Sequence, residues 1–236
     1  MRIAALVPAY QAEAHLASVL ARLAALPDAP EVLVVDDGST DGTAAIARGA
    51  GARLLSMPVN RGKGDALLAG FEALREFDGV VTLDADGQHP PESFPEFVRA
   101  AEQGADLVMG IRERTAAMPM ARRFANAVSS RWATWLAGQP VPDSQCGYRL
   151  YGRRLLERTP ITPGRYEVES EVVVRAARLG FRLAVLPIPT VYGSEESQMR
   201  TLRDVPRIVG VLARLTIEGV VPPREMRGAA ANGARP

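Results

Sequence analysis

Two carboxylates one residue apart, Asp84 and Asp86, close the short apolar run Val80-Val81-Thr82-Leu83. Held that close, they repel each other unless a cation lies between them. Carboxylate oxygens suit hard divalent ions such as Mg²⁺ or Mn²⁺, whose remaining positions substrate phosphates commonly fill. The β-branched run reads as a buried parallel strand, and Gly87 with Pro90-Pro91 as the loop leaving its carboxyl end. Ligands of open α/β sheets bind at that end. The stretch therefore predicts a metal–diphosphate site at the tip of a central strand. An EF-hand loop fails on spacing. Starting at Asp84, it would need Gly where His89 stands and Glu where Pro95 stands. Starting at Asp37, it meets Arg48 at the bidentate Glu position.

Three further stretches could serve such a site. Asp36-Asp37 ends a second apolar run and leads into Gly38-Ser39-Thr40-Asp41-Gly42. These acids either cap the next helix or accept hydrogen bonds from a ribose or base edge. Gly62-Lys63-Gly64 is not a P-loop, because no Gly precedes it at the required spacing and Asp65 follows. It is either a flexible helix start or a backbone that approaches a nucleotide, with Lys63 nearby. Between Arg112 and Pro142 the only acid is Glu113, against Arg112, Arg114, Arg122, Arg123 and Arg131. Such a cluster is either a solvated helical face or a site for an anionic ligand.

The elements that must position these residues alternate at short spacing. Strands are expected at 3–7, 32–35, 53–55, 80–83, 106–109, 145–151 and 181–185. Helices are expected over 13–26, 43–49, 62–77, 94–103, 121–137, 166–179 and 204–219. That is the pattern of a doubly wound, mostly parallel sheet. Trp132 and Trp135 are expected in the core. The 236 residues suffice for one sizeable α/β domain, and 47% hydrophobic with 23% charged residues is ordinary for a soluble protein. A net charge of +1 argues against a surface that coats nucleic acid. The lone Cys146 excludes an intrachain disulfide, and two distant histidines argue against a His-rich zinc site. No window offers the ~20 uninterrupted apolar residues of a membrane span, and no signal peptide is evident. The expected location is cytoplasmic, with room for peripheral contact at the inner face of a membrane.

Pro8-Ala9-Tyr10, the turn from Val34 to Asp41, Asn60-Arg61-Gly62-Lys63-Gly64 and Leu83 to Pro90 stand in a familiar order. So do Asp143-Ser144-Gln145-Cys146-Gly147-Tyr148-Arg149, Glu167-Val168-Glu169 and Pro189 to Gly193. With them the chain resembles inverting, GT-A-fold glycosyltransferases of family 2 over about residues 1–215. The branch it is most similar to is that of the dolichol-phosphate mannosyltransferases and polyprenyl-phosphate glycosyltransferases. The resemblance implies an α/β, Rossmann-like, mostly parallel central sheet flanked by helices. It implies one domain over 1–221, with a nucleotide-sugar half to about 111, an acceptor half from about 112 and a disordered tail over 222–236.

The resemblance also implies roles. Asp84, Asp86 and Gln88 would hold Mg²⁺ or Mn²⁺ on the donor diphosphate. Pro8, Tyr10, Glu13, Asp37 and Lys63 would line a GDP- or UDP-sugar. Arg112 and Arg122 would face phosphates beside Asp86 as the catalytic set. Asn126 would lie on the acceptor side. The branch usually carries a Ser-Lys pair near residue 197; this chain has Ser197-Gln198, so Arg200 would have to substitute. The Gln-x-x-Arg-Trp signature of processive synthases is absent.

The expected reaction is in-line attack on the anomeric carbon of a nucleotide-activated sugar. A lipid-phosphate acceptor is already ionised and needs no general base. A hydroxyl acceptor needs one, and Asp143 and Glu169 are the candidates. Three readings follow: a polyprenyl-phosphate glycosyltransferase, a soluble glycosyltransferase with a hydroxyl acceptor, or a non-catalytic nucleotide-sugar-binding subunit.

Overall fold

The computed structural model describes residues 1–112, 120–162, 167–189 and 201–218, the side chains of 120–126 and 201–206 excepted. Arg200 and the 222–236 tail lie outside the described residues, as do the side chains of Arg122 and Asn126.

Strand β1 (Ile3–Ala9) is buried along its whole length. Its alternate residues feed two cores, one on each face of the sheet. Leu6 packs with Leu33, Phe71 and Val80 on one face. Ala5 and Val7 pack with Val34, Val81 and Phe97 on the other. Helix α1 (Leu16–Ala24) buries Leu16, Val19, Leu20 and Leu23, the i, i+3, i+4, i+7 stripe that its sequence carries. The chain continues through β2 (Val32–Asp36), α2 (Thr43–Gly49), β3 (Arg53–Ser56), α3 (Lys63–Ala73), β4 (Gly79–Thr82), α4 (Phe94–Glu102) and β5 (Leu107–Arg112). There follow α5 (Met120–Ala137), β6 (Arg149–Gly152), α6 (Arg153–Arg158), α7 (Glu167–Arg178), β7 (Leu183–Ile188) and α8 (Thr201–Glu218).

The seven strands form one sheet in the order β3-β2-β1-β4-β6-β5-β7. All pairings are parallel except those of β6, which runs antiparallel to both β4 and β5. The expected doubly wound, mostly parallel sheet is thus borne out. The order reverses between β1 and β4, and a ligand crevice forms outside strand carboxyl ends at such a switch point. Because β6 is reversed, its entering loop, residues 143–148, arrives at that same edge. The helix α6 was not anticipated.

The tryptophans need a correction. Trp132 is half-buried, but Trp135 is 67% exposed. Helix α5 offers the core Ala133 and Leu136, so Trp135, one residue before Leu136, faces away.

Candidate active site

The loop after β4 is pinned at both ends. Thr82 at the end of β4 donates its hydroxyl to the Gly147 carbonyl at 2.7 Å. Asp86 Oδ1 accepts the Gln88 backbone N–H at 3.0 Å, the side-chain-to-backbone turn that Asp favours. His89 closes the loop from below. Its Nδ1 accepts the Asp84 backbone N–H at 3.2 Å, which leaves the ring proton on Nε2, 3.8 Å from Cys146 Sγ. The ring lies against Tyr148, which stacks on Phe97.

Burial pushes the His89 pKa down to about 4, against the partial counterweight of Asp84. Between about pH 6.5 and 4 the unfolded chain binds a proton that the folded chain refuses. Stability therefore falls as pH drops through that window. We expect metal-free protein to lose about 2 kcal/mol between pH 7 and 4.5 in urea unfolding, and His89→Gln to flatten that slope. Asp84 does not contribute there, since its stabilisation is lost only below the ordinary Asp pKa.

Asp84 is held as a carboxylate. Burial alone would raise its pKa, but the Lys63 ammonium outweighs this and brings it down to about 2. Lys63 Nζ lies 2.5 Å from Asp84 Oδ1 and 2.7 Å from Glu169 Oε1. Burial would strip the Lys63 proton, and these two carboxylates reverse that, raising its pKa. Lys63 opens α3, Asp84 follows β4 and Glu169 sits in the first turn of α7, so three elements meet on one ammonium.

Asp37 is buried, and both its oxygens accept backbone N–H groups, from Arg61 at 2.8 Å and Gly62 at 2.7 Å. It thereby ties the end of β2 to the residues that lead into α3. Gly38 makes this approach possible: at φ +72°, an added Cβ would stand 2.6 Å from the Val59 carbonyl carbon. Pro8 is buried in β1, while Tyr10, just past its end, is exposed. Gln11 beside it has φ +50°, the one non-glycine residue in the left-handed region among the described residues. Its side-chain carbonyl accepts the Thr40 N–H at 2.7 Å, and its own N–H donates to Ser39 Oγ at 3.0 Å. Glu13 Oε2 accepts the Gly42 N–H at 2.8 Å, at the start of α2. Asp37, Pro8, Tyr10 and Glu13 thus surround one corner of the crevice, with Asp37 and Glu13 also bracing its walls.

Across the crevice, Arg112 at the end of β5 makes a two-pronged pair with Asp143, Nε to Oδ2 at 2.9 Å and Nη2 to Oδ1 at 3.1 Å. Burial opposes both charges and the pair overcomes it, raising Arg112 and lowering Asp143. Arg149, fully buried in β6, organises the loop of residues 143–148. Its guanidinium donates to the carbonyls of Cys146 at 2.7 Å, Ser144 at 2.8 Å and Glu169 at 2.5 Å. No sequence pattern marks it; only the antiparallel course of β6 brings its three partners within reach. Cys146 is buried and its thiol pKa is pushed by burial up to about 12, so it stays protonated.

The family model described as "Glycosyl transferase family 2" matches residues 4–159. The undecaprenyl-phosphate mannosyltransferase of Micrococcus luteus is 32% identical over 205 residues, which cover 81% of this chain and 84% of that protein. The dolichyl-phosphate hexose transferase of Haloferax volcanii is 34% identical, covering 79% and 82%. The undecaprenyl-phosphate 4-deoxy-4-formamido-L-arabinose transferase of Aeromonas hydrophila is 35% identical over 66% of this chain, which spans only 50% of that longer protein. Among solved structures, the glucosyl-3-phosphoglycerate synthase of Mycobacterium tuberculosis, with Mn²⁺, UDP and glucosyl-3-phosphoglycerate bound, superposes with a TM-score of 0.74. That similarity covers 90% of this chain and 79% of that one at 26% identity. With a GT-A sheet, acids at the carboxyl ends of β2 and β4 and a match over most of its length, the chain belongs to glycosyl transferase family 2 and is a glycosyltransferase.

Proposed function

We propose that the protein transfers a sugar from a GDP- or UDP-sugar to a polyprenyl phosphate, with inversion at the anomeric carbon. One observation carries this reading beyond the names of the relatives. Both carboxylates suited to be a general base are committed to cations, Asp143 to Arg112 and Glu169 to Lys63. Arg112 holds Asp143 below the usual carboxylate range, which makes it a poor proton acceptor, and the oxygen of Glu169 is taken up by the Lys63 ammonium. A phosphate nucleophile is already ionised and does not need a general base. Arg122 and Arg200, from the basic segments, would draw the acceptor phosphate in, with Arg112 beside them already paired to Asp143, and Asn126 would border it.

Asp84, Asp86 and Gln88 supply two carboxylates and an amide oxygen on one half-buried loop, a hard donor set that fits Mg²⁺ or Mn²⁺. Such an ion would neutralise charge on the departing diphosphate. Asp37 and Glu13, with Pro8 and Tyr10, would take the nucleoside.

A polyprenyl chain stays in its bilayer, so the acceptor side must approach a membrane. Among the described residues no helix is long and apolar enough to cross one. Helices α5 and α8 offer a surface instead. Ile208, Leu212 and Leu215 of α8 face the core, yet its outer side carries Val209 and Ile217, the latter 86% exposed. Trp132 of α5 donates its indole N–H to Thr216 of α8 at 3.2 Å, and α5 itself carries the exposed Val128 and Trp135. Helix α5 contains no Asp or Glu and several Arg, which complements anionic lipid. We expect Trp135→Ala/Ile217→Ser to weaken binding to phosphatidylglycerol vesicles by about tenfold.

The deciding assay follows labelled sugar from a GDP- or UDP-sugar into the organic phase with undecaprenyl phosphate present. Label in the lipid supports the proposal. Turnover confined to a soluble acceptor overturns it in favour of a hydroxyl acceptor, the reading favoured by the structural likeness to the phosphoglycerate-using synthase.

A further inference from the structure

The ammonium of Lys63 is fixed from every side. Asp37 clamps the backbone of Arg61 and Gly62 immediately before it. Its Nζ lies between Asp84 and Glu169, and Glu169 is only 2% exposed. Arg149 holds the Glu169 carbonyl and, with the same guanidinium, the carbonyls on either side of Gln145. Space for the cluster is reserved at Gly147. A Cβ there would stand 2.5 Å from Lys63 Nζ and 2.9 Å from each oxygen of Asp84. A long, freely rotating side chain ordinarily resists such confinement, because holding it costs rotamer entropy. A buried ion pair is also a weak source of stability. Neither cost is repaid by packing alone.

We propose that Lys63 is a resident cation of the donor site, set against Asp84 by Glu169 as a positioning residue. The ammonium neutralises half of the Asp84–Asp86 pair before any divalent ion arrives. Asp86 and Gln88 would be the principal holders of that ion, which would supply charge neutralisation to a donor diphosphate alongside the Lys63 ammonium. Glu169 does not abstract a proton; it sets how much of the Lys63 charge Asp84 receives. This rests on the assignment of the diphosphate to the β4 loop and is independent of the acceptor.

The two charges of the pair make opposite predictions for the metal. Lys63→Met removes the competing cation and exposes two carboxylates, so Mn²⁺ titrated alone and followed by its EPR signal should bind about tenfold tighter. Glu169→Gln leaves Lys63 wholly to Asp84, so Mn²⁺ should bind several-fold more weakly. With Mn²⁺ saturating, UDP and GDP should bind Lys63→Met about tenfold more weakly by calorimetry. A merely structural pair would shift Mn²⁺ affinity the same way in both variants, and that result, or no shift in either, overturns the proposal. Should a single variant fail to fold, Lys63→Met/Glu169→Gln removes both charges at nearly constant volume. It is expected to keep Mn²⁺ binding and lose nucleotide affinity; unchanged nucleotide affinity in it overturns the proposal. No acceptor enters these measurements, so they stand apart from the lipid-extraction assay.

Discussion

Asp86→Ala is expected to lower kcat for sugar transfer by about 10²–10³-fold, the scale seen when a principal stabiliser of developing charge is removed. The reason lies in how the two loop carboxylates are spent. Asp84 Oδ1 already holds the Lys63 ammonium. Asp86 is the carboxylate whose loss leaves a divalent ion only the Gln88 amide and a shared Asp84. Fold should survive, because Asp86 sits on a half-buried loop outside the two apolar cores. The measurement is steady-state transfer beside nucleotide binding with and without Mn²⁺. The expected pattern is lost turnover, lost Mn²⁺ enhancement of binding and retained weak binding through the Asp37 corner. Binding that keeps its full Mn²⁺ enhancement in the variant would remove Asp86 from the metal site.

Arg149→Met should be the most damaging single change for stability, costing about 3–5 kcal/mol. The substitution strands three carbonyls, at Ser144, Cys146 and Glu169, that the guanidinium now serves in the interior. For a chain of this size that corresponds to a thermal midpoint lower by about 10 °C. Arg149→Lys should recover little, because a single ammonium on a flexible stem cannot span a planar fork of three acceptors. Calorimetry and urea unfolding test both variants. A fall of less than about 1 kcal/mol would mean that water or relaxation serves these carbonyls instead. Activity should fall with stability, since the loop that Arg149 holds carries Asp143 and Gly147.

Much of the edge formed by the ends of β1, β2 and β4 was legible in the sequence. Each of β1, β2 and β4 is a run of β-branched and aliphatic residues that ends in polar or acidic residues, and in a parallel sheet all such ends share one edge. Asp37, Asp84 and Asp86 could therefore be placed together without knowing the strand order. The part of the site built from β5 to α7 was less legible, because its contacts join residues that local patterns do not relate. Glu169 looked like a free acid on a helix and so a candidate base. Arg112 looked like a free cation for phosphate. In the folded chain each is paired, Glu169 with Lys63 from 106 positions away in sequence and Arg112 with Asp143. Trp135 looked like core by residue type, but the helix phase turns it outward.

By itself, then, the sequence determined the family, the class of sheet and the acids at its carboxyl edge, since strand pattern and loop chemistry are local properties. Tertiary structure alone decided that β6 runs antiparallel between β4 and β5. That reversal carries Asp143, Gly147 and Arg149 to the edge where Asp84 and Asp86 stand, while the lysine in the field of that pair comes from the start of α3. Charge pairing depends on distance through space, and no spacing along the chain could have shown which carboxylate the ammonium of Lys63 would meet.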